Sequence, residues 1–307
     1  MEFLTGGVSA CGACLFTNPL EVVKIRMQLQ GELASQGVYQ IHYKNPFHAI
    51  FQIAKVEGIL ALQKGLVPAL WYQLCMNGSR LGTFHFFEDK GFVRRPDGTA
   101  SPAKTILAGL VAGCVGAFFG SPLYLVKTQL QSHSNASIAV GYQHDHNGMR
   151  DAVSSIYKQH GIKGLWRGSL SSLPRVSVGS ASQLLTFTKS REYIHELKIF
   201  PHDSWLNILA SSFLSGIAVV LLMTPFDVIS TRIYNQGIDA KGRGLLYNGV
   251  IDCCIKVLRT EGPLGLYKGL LASYFRIGPH SVLNLLFWTQ LRKLQKSAEI
   301  SGNKSIS

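Results

Sequence analysis

The feature that most constrains the fold of this chain is a pair of short motifs that both occur three times. The first motif runs from a proline to a basic or polar residue five positions later, and it begins at Pro19, Pro122 and Pro225. Its copies are 103 residues apart. The second motif ends in a basic residue followed by glycine, at Gly65, Gly168 and Gly269. Two independent motifs that keep nearly the same period indicate three copies of one structural unit.

The composition indicates a membrane protein. Hydrophobic residues make up 47% of the chain and charged residues only 15%, whereas charged residues are about 25% of an average soluble domain. Apolar stretches of roughly 20 residues, enough to cross a bilayer, cover 3–23, 106–126 and 205–229. We therefore expect an all-α membrane protein of six transmembrane helices in three ~100-residue repeats, plus three short surface helices.

The repeats are expected at 1–95, 96–200 and 201–297, followed by a polar tail at 298–307. The helical spacing of apolar residues predicts one short surface helix in each repeat, between its two spans. The predicted spans are 1–30, 66–90, 102–131, 169–192, 204–235 and 270–296. The predicted surface helices are 45–56, 149–159 and 250–259. Kinks are expected where the first motif places a proline inside a span.

The charge distribution favours a lipid surface and an anionic solute over nucleic acid. The net charge is +13, but the basic residues are spread between the apolar stretches and do not form one patch. Lysine and arginine number 16 on the side of the loops within repeats and 11 on the side of the termini. This bias predicts that the loops within repeats face the negative compartment.

The sequence has none of the patterns that indicate an enzyme. It contains no placed nucleophile–base pair, no glycine-rich phosphate loop after a strand and no metal-ligand spacing. Cys11 and Cys14 lie inside the first apolar stretch without a second metal-binding pair, so we interpret them as packing residues. We expect neither a cofactor nor a metal ion.

The proline motif and the basic-glycine motif, each present three times, resemble those of the mitochondrial carrier family over essentially the whole chain. The run that follows Pro19 and the Gly-Pro-His sequence that ends at His280 more closely resemble the member 34/35 branch of solute carrier family 25, which is similar to the fungal oxaloacetate/sulfate carrier. The resemblance implies a six-helix barrel with threefold pseudosymmetry, alternately open to each side of the inner mitochondrial membrane. It also implies a monomer, with both termini toward the intermembrane space.

The resemblance implies a gate on the matrix side, where the acid of each odd-numbered span pairs with the base of the next. The predicted gate pairs are Glu21 with Lys127, Asp227 with Lys24, and Tyr124 with Ser230. The predicted brace positions beside the gate are Gln28, Gln131 and Tyr234. In the third pair both charges are absent, and we expect the two hydroxyl groups to hydrogen-bond instead. The joint loss supports the pairing, because losing one partner alone would strand a buried charge at a cost of roughly 3–5 kcal/mol.

A cargo site is predicted on the even-numbered spans. Positions 7, 11 and 15 residues after each closing glycine lie on one helical face. The predicted substrate-binding residues there are Tyr72, Arg80, Arg175, Gln183, Arg276, His280 and Asn284. Three arginines at one depth, with no acid on these faces, favour an anion such as a carboxylate or sulfate. Two alternatives stay open: an arginine paired with backbone or lipid, and a His280 that carries a cotransported proton.

We therefore predict a secondary transporter of small anions such as oxaloacetate, malonate or sulfate, working by exchange or with proton coupling. A fatty-acid-dependent proton leak and a non-transporting membrane scaffold are the alternatives. The resemblance also implies bound cardiolipin, because each basic-glycine motif exposes a helix N-terminus beside a cation. The predicted lipid-binding residues are Lys64, Gly65, Arg167, Gly168, Lys268 and Gly269.

Overall fold

The computed structural model describes residues 2–35, 39–93, 101–196, 205–239 and 242–304. Within these ranges the helices are α1 (Glu2–Leu29), α2 (Pro46–Glu57), α3 (Leu66–Asp89), α4 (Pro102–Ser132), α5 (Met149–Leu165), α6 (Ser169–Glu196), α7 (Trp205–Asn235), α8 (Val250–Thr260) and α9 (Leu270–Lys304). The predicted repeat boundaries at 95/96 and 200/201 lie outside the described residues. The order of a long, a short and a long helix therefore occurs three times.

Three helices end four or more residues later than the sequence predicted. α6 ends at Glu196, four residues after its predicted end at 192. The last of them, α9, continues through Lys304, beyond its predicted end at Lys296, and its final turns contain no proline that would end the helix. The tail predicted from 298 is helical as far as Lys304. In α5, helical turns continue past Gly161 to Leu165, across a break where Gly161 has φ 65°. A residue with a side chain would be strained at this positive φ, so α5 requires glycine at position 161.

The long helices form a closed ring. They are 24–35 residues long, and each contacts its two neighbours in the order α1, α3, α4, α6, α7, α9 and back to α1. α1, α4 and α7 also contact one another. We call the end of the ring where their C-terminal halves meet the gate end.

Each short helix packs at the gate end against the long helix that precedes it. Its entry is fixed locally, as in α2, where the Asn45 side chain accepts a hydrogen bond of 2.8 Å from the backbone N–H of His48. Such a cap satisfies one of the unpaired donors at a helix N-terminus. Buried apolar residues of α2, α5 and α8 then join the core beside α1, α4 and α7 respectively. The gate end is therefore the best-packed part of the ring.

Hydropathy divides the long helices into two kinds. Among the described residues, three segments are long and apolar enough to cross a membrane: Gly6–Leu29, Ala103–Ser132 and Ala210–Asn235. These segments belong to α1, α4 and α7. The other three long helices contain the predicted cargo residues, whose polarity lowers their hydropathy.

Candidate functional site

Two buried ion pairs join α1, α4 and α7 at the gate end. Lys127 Nζ lies 2.7 Å from Glu21 Oε1, and Lys24 Nζ forms an ion pair with Asp227 Oδ2. All four side chains are buried. Each charge therefore depends on its partner, because removing one would leave the other uncompensated in a medium of low dielectric constant.

Tyr124 and Ser230, the third predicted pair, do not bond to each other in the described structure. Ser230 Oγ donates a hydrogen bond of 2.7 Å to Ser171 O. The Tyr124 ring lies between the rings of Tyr72 and Tyr234, with centroids 5.3 and 4.9 Å away. The expected bond between hydroxyl groups is therefore wrong: the serine hydroxyl donates to a backbone carbonyl, and the tyrosine ring packs against two other aromatic rings.

Each acid position of the gate also contacts a cargo position of the preceding repeat. The three contacts are Glu21 with Arg276, Asp227 with Arg175, and Tyr124 with Tyr72. The closest charged atoms are 3.4 Å apart in the first contact and 3.8 Å apart in the second. Sequence reasoning missed this relationship because it treated the odd and even helices separately. The predicted gate residues and the predicted cargo residues are therefore in direct contact.

The faces of α6 and α9 that carry Arg175 and Arg276 contain no acid, which suggested that the two arginines are unpaired. In the structure, acids of α7 and α1 contact both of them. Glu21 is shared between Lys127 and Arg276, and Asp227 is shared between Lys24 and Arg175. Both guanidinium groups keep unused donors, since the Nε atom of each is buried without a hydrogen-bond partner. The protein therefore leaves part of the hydrogen-bonding capacity of each arginine unused.

Arg80 does not lie at the depth of the other two arginines. It follows Tyr72 by eight residues, a rise of ~12 Å along α3 away from the gate, and its side chain is exposed. The neighbouring glycines of α4 agree with this, because Gly116 lies against Arg80 whereas Gly120 lies against Tyr72. The expectation of three arginines at one depth is wrong.

The other predicted cargo residues lie on α6 and α9. The Gln183 side chain is exposed. His280 Nδ1 lies 3.0 Å from Thr17 Oγ1, and Asn284 Oδ1 accepts a hydrogen bond of 2.9 Å from Ser9 Oγ. His280 and Asn284 therefore hold α9 against α1 while they remain partly exposed.

Each brace residue lies against the closing glycine of a repeat. The pairs are Gln131 with Gly65, Tyr234 with Gly168, and Gln28 with Gly269. The three glycines have φ of 68°, 84° and 75°, in the region that other residues rarely adopt. Gln131 donates to Asn18 and Gln28 accepts from Thr231, each at 2.8 Å. The hydroxyl of Tyr234 lies between two serine hydroxyls, 2.9 and 2.7 Å away.

A charged cluster beside the gate joins the first repeat to the second. Arg26 donates two hydrogen bonds to Glu57, of 2.6 and 3.1 Å, and Lys64 Nζ lies 2.7 Å from the same carboxylate. Both cations also donate to His133 O, at the end of α4. Burial alone would raise the pKa of Glu57, but the hydrogen bonds from Arg26 and Lys64 outweigh it and lower the pKa below its ordinary value.

A matching cluster joins the third repeat to the first. Arg232 Nη2 and Lys268 Nζ lie 2.9 and 2.6 Å from Glu261 Oε2. Lys268 also donates to Gln30 O and Gly31 O. Sequence reasoning missed both clusters. Their signal was present, because an arginine seven residues after the motif proline and a glutamate directly before a glycine occur in the first and third repeats.

The second repeat has no such cluster among its described residues. The equivalent positions hold Gln129, His160 and Arg167. Arg167 Nη2 donates a hydrogen bond of 2.7 Å to Gln236 O, but its Nε and Nη1 are buried without a partner. Burial lowers the pKa of Arg167 to about 10. The seam between the second and third repeats therefore lacks a lysine–carboxylate pair at the gate and a carboxylate beside it.

The cations of the three basic-glycine motifs are directed into the protein. Lys64 and Lys268 bind glutamates, and Arg167 binds a carbonyl group of the next repeat. A lipid phosphate at these corners would therefore meet mainly the unpaired backbone N–H groups at the helix N-termini.

Comparisons with known proteins agree with this architecture. The family model described as mitochondrial carrier protein matches residues 1–92, 98–198 and 201–298. Solute carrier family 25 member 35 of Homo sapiens is 55% identical, over 96% of this chain and 98% of that protein. The mitochondrial oxaloacetate transport protein of Saccharomyces cerevisiae is 41% identical, over 97% and 90% of the two chains.

A third relative is the mitochondrial citrate transporter E of Aspergillus niger, which is 38% identical over 97% of this chain and 94% of that protein. The family match and these identities over nearly full length confirm the resemblance read from the repeated motifs. The chain therefore belongs to the mitochondrial carrier family, whose members are solute transporters of the mitochondrial inner membrane and not enzymes.

Proposed function

We propose that this protein moves small dianions across the mitochondrial inner membrane by alternating access. A charge imbalance at the gate end carries the proposal. Among the described residues, four cationic side chains meet two carboxylates there: Lys24, Lys127, Arg175 and Arg276 against Glu21 and Asp227. The excess of two positive charges favours a ligand with two negative charges, because buried unpaired charge is costly.

The geometry of the two arginines favours carboxylate or sulfate groups. Arg175 and Arg276 project from α6 and α9 at the same position after a closing glycine. A guanidinium presents a planar fork that matches two oxygen atoms of one carboxylate or sulfate. A dicarboxylate or keto acid such as malonate or oxaloacetate, or a sulfate-like oxyanion, would satisfy both forks.

The exposure of the cargo residues supports a cavity that is closed at the gate end and open at the other. The side chain of Arg175 is 9% exposed and that of Arg276 is 16% exposed, whereas Gln183 and Arg80 are exposed. Exposure therefore increases away from the gate, as expected for one of the two states of an alternating-access carrier.

The names of the relatives support an organic acid as cargo. Two of them are described as transporters of oxaloacetate and of citrate. Oxaloacetate has two carboxylate groups and citrate has three, so the charge excess of two favours an acid of the first kind.

The membrane arrangement is part of the proposal. All six long helices would cross the bilayer with threefold pseudosymmetry, and both termini would face the intermembrane space. Exposed apolar side chains on α2 and α8, such as Phe47, Phe51 and Ile251, would rest in the membrane surface. The carrier would act as a monomer with cardiolipin at its three basic-glycine corners. Alkaline carbonate extraction should leave it in the membrane pellet, and cardiolipin should raise its melting temperature in detergent.

Transport by the purified protein in liposomes tests the function. Labelled malonate, oxaloacetate and sulfate are compared with a monocarboxylate, citrate, an amino acid and a nucleotide, with and without a pH gradient. Dianions should move fastest, and the variant Arg175→Gln/Arg276→Gln should abolish their uptake. Transport of only cations, amino acids or nucleotides would overturn the anion assignment. Proton flux that needs fatty acid but no solute would favour the proton-leak alternative instead.

A further inference from the structure

Tyr124 occupies the acid position of the gate in the second repeat, where the other two repeats have Glu21 and Asp227. It is a large, buried and uncharged residue. We propose that Tyr124 is a positioning residue for the cargo site, which holds the Arg175 guanidinium against its ring face and leaves the charge of Arg175 available to the transported anion. This inference rests on the proposed function, because it assigns a role in the same site.

The contacts of Arg175 show what holds it. Its Cζ lies 4.9 Å from the centroid of the Tyr124 ring, within the range of a cation–π interaction. Nη2 donates a hydrogen bond of 3.2 Å to Tyr72 OH. Nη1 lies 3.8 Å from Asp227 Oδ1, beyond hydrogen-bond distance, and that oxygen has no hydrogen-bond partner. An aromatic face and one hydroxyl therefore hold a buried guanidinium whose ion-pair partner, Asp227, lies beyond hydrogen-bond distance.

The aromatic cluster fixes the ring as well as the arginine. Tyr124 lies between Tyr72 and Tyr234, and Tyr234 is held in turn by two serine hydroxyls. Lys127 Nζ also lies 5.3 and 5.7 Å from the ring centroids of Tyr72 and Tyr124. The Tyr124 ring therefore faces two cations and has little freedom to rotate away from Arg175.

The comparison between repeats gives the reason for an aromatic residue here. Where an acid of the gate does meet a cargo arginine, as Glu21 meets Arg276 at 3.4 Å, the carboxylate shares its charge with that arginine. A carboxylate at position 124 would be the second beside Arg175, after Asp227, and the third in the site, after Glu21 and Asp227. An aromatic ring attracts the guanidinium without neutralising it, because the attraction comes from the ring quadrupole and not from a net charge. The excess positive charge of the site is thereby preserved.

The proposal is tested by lowering the electron density on the face of the ring at position 124 while the size of the ring is kept nearly constant. Tyr124 is replaced by phenylalanine and then by phenylalanines that carry one, two and three fluorine atoms on the ring. Each fluorine withdraws electron density from the ring face and so weakens a cation–π interaction. The KM for labelled malonate should rise along this series, to about tenfold, while the maximal rate stays within about twofold. The same series at Phe119, which is 57% exposed on α4, should leave the KM constant. A constant KM along the Tyr124 series would overturn the proposal.

A second measurement does not depend on transport. Along the Tyr124 series the melting temperature should fall more in the Arg175 background than in the Arg175→Gln background, where only the contact of the ring with Lys127 is weakened. Equal falls in both backgrounds would overturn the contact. If the unmodified protein moves neither malonate nor sulfate, the proposed function and the cargo role fall together, while the melting series still decides whether Tyr124 holds Arg175.

Discussion

Glu21 and Lys127 form a buried ion pair of 2.7 Å that joins α1 to α4. The same carboxylate oxygen also faces Arg276 Nη1 at 3.4 Å. One glutamate therefore joins a predicted gate pair to a predicted cargo arginine, so an anion bound at Arg276 would change the electrostatic environment of that pair.

Substitution of Glu21 by glutamine should impair both transport and stability. The change strands Lys127 and Arg276, and breaking a buried pair costs roughly 3–5 kcal/mol. The double variant Glu21→Gln/Lys127→Gln should recover part of the loss in melting temperature, though not all of it because Arg276 stays unpaired. A double variant no more stable than Glu21→Gln would contradict the pairing. Glu192→Gln is the matched control, because its pair with Lys189 has the same 2.7 Å length but is exposed.

The three arginines predicted to bind the cargo should differ in how much each contributes to the rate of transport. Arg175→Ala or Arg276→Ala should each lower malonate transport about tenfold or more, since a charge-assisted hydrogen bond is worth roughly 1.5–3 kcal/mol. Lysine at either position keeps the charge but loses the fork, and should impair transport too. Arg80→Ala should have a smaller effect, because Arg80 is exposed and ~12 Å further from the gate. Equal losses for all three would argue against the assigned depths.

A carboxylate in the second repeat should strengthen the seam between the second and third repeats. The double variant Gln129→Arg/His160→Glu recreates the cluster of the other repeats beside Arg167, whose Nε and Nη1 are buried without a partner. The melting temperature should rise, and transport should slow because the closed gate is stabilised. Gln129→Arg alone adds a cation without a carboxylate, and should lower the melting temperature. A more stable single variant would contradict this account.

The closing glycine Gly65 should not tolerate a side chain. It has φ 68°, and a Cβ there would lie 2.7 Å from Gln131 Cγ and 3.2 Å from Lys127 O. Gly91 has φ 70° with open space around it, so Gly91→Ala measures the backbone strain alone, about 1–2 kcal/mol. Gly65→Ala should lower the melting temperature further than Gly91→Ala. Equal shifts would show that the contact with the brace residue is unimportant.

Glu32 should make stability depend on pH near neutrality. It lies just after α1, and its Oε1 accepts a hydrogen bond of 3.0 Å from Tyr247 OH. Burial raises the pKa of Glu32 from 4.5 to about 7. Because the folded state holds this proton more tightly than the unfolded chain, the stability contribution is complete below about pH 4.5 and is lost as the pH rises through about 7. The melting temperature of the unmodified protein should therefore fall more steeply between pH 5 and pH 8 than that of Glu32→Gln. Parallel curves would contradict the raised pKa.

The long helices were predictable from the sequence because they depend on local spacing, and the motifs that begin at Pro19, Pro122 and Pro225 mark one long helix in each repeat. The same period places Glu21 and Asp227 at one repeat position and Lys24 and Lys127 at another. Which acid meets which base was implied by the resemblance to the family, and the structure brings both of those pairs together.

Contacts between one repeat's odd helix and the preceding repeat's even helix were decided by the tertiary structure alone. Tyr124 has the same spacing as Glu21 and Asp227, yet its neighbours are two aromatic rings and the Arg175 guanidinium. Arg80 has the same chemistry as Arg276, yet it is exposed and far from the gate. Ring stacking, burial and depth depend on how the six long helices close into a ring, and no single segment of sequence contains that information. The physical reason is that the energy of a side chain is set by its spatial neighbours, which here lie between 51 and 255 positions away along the chain.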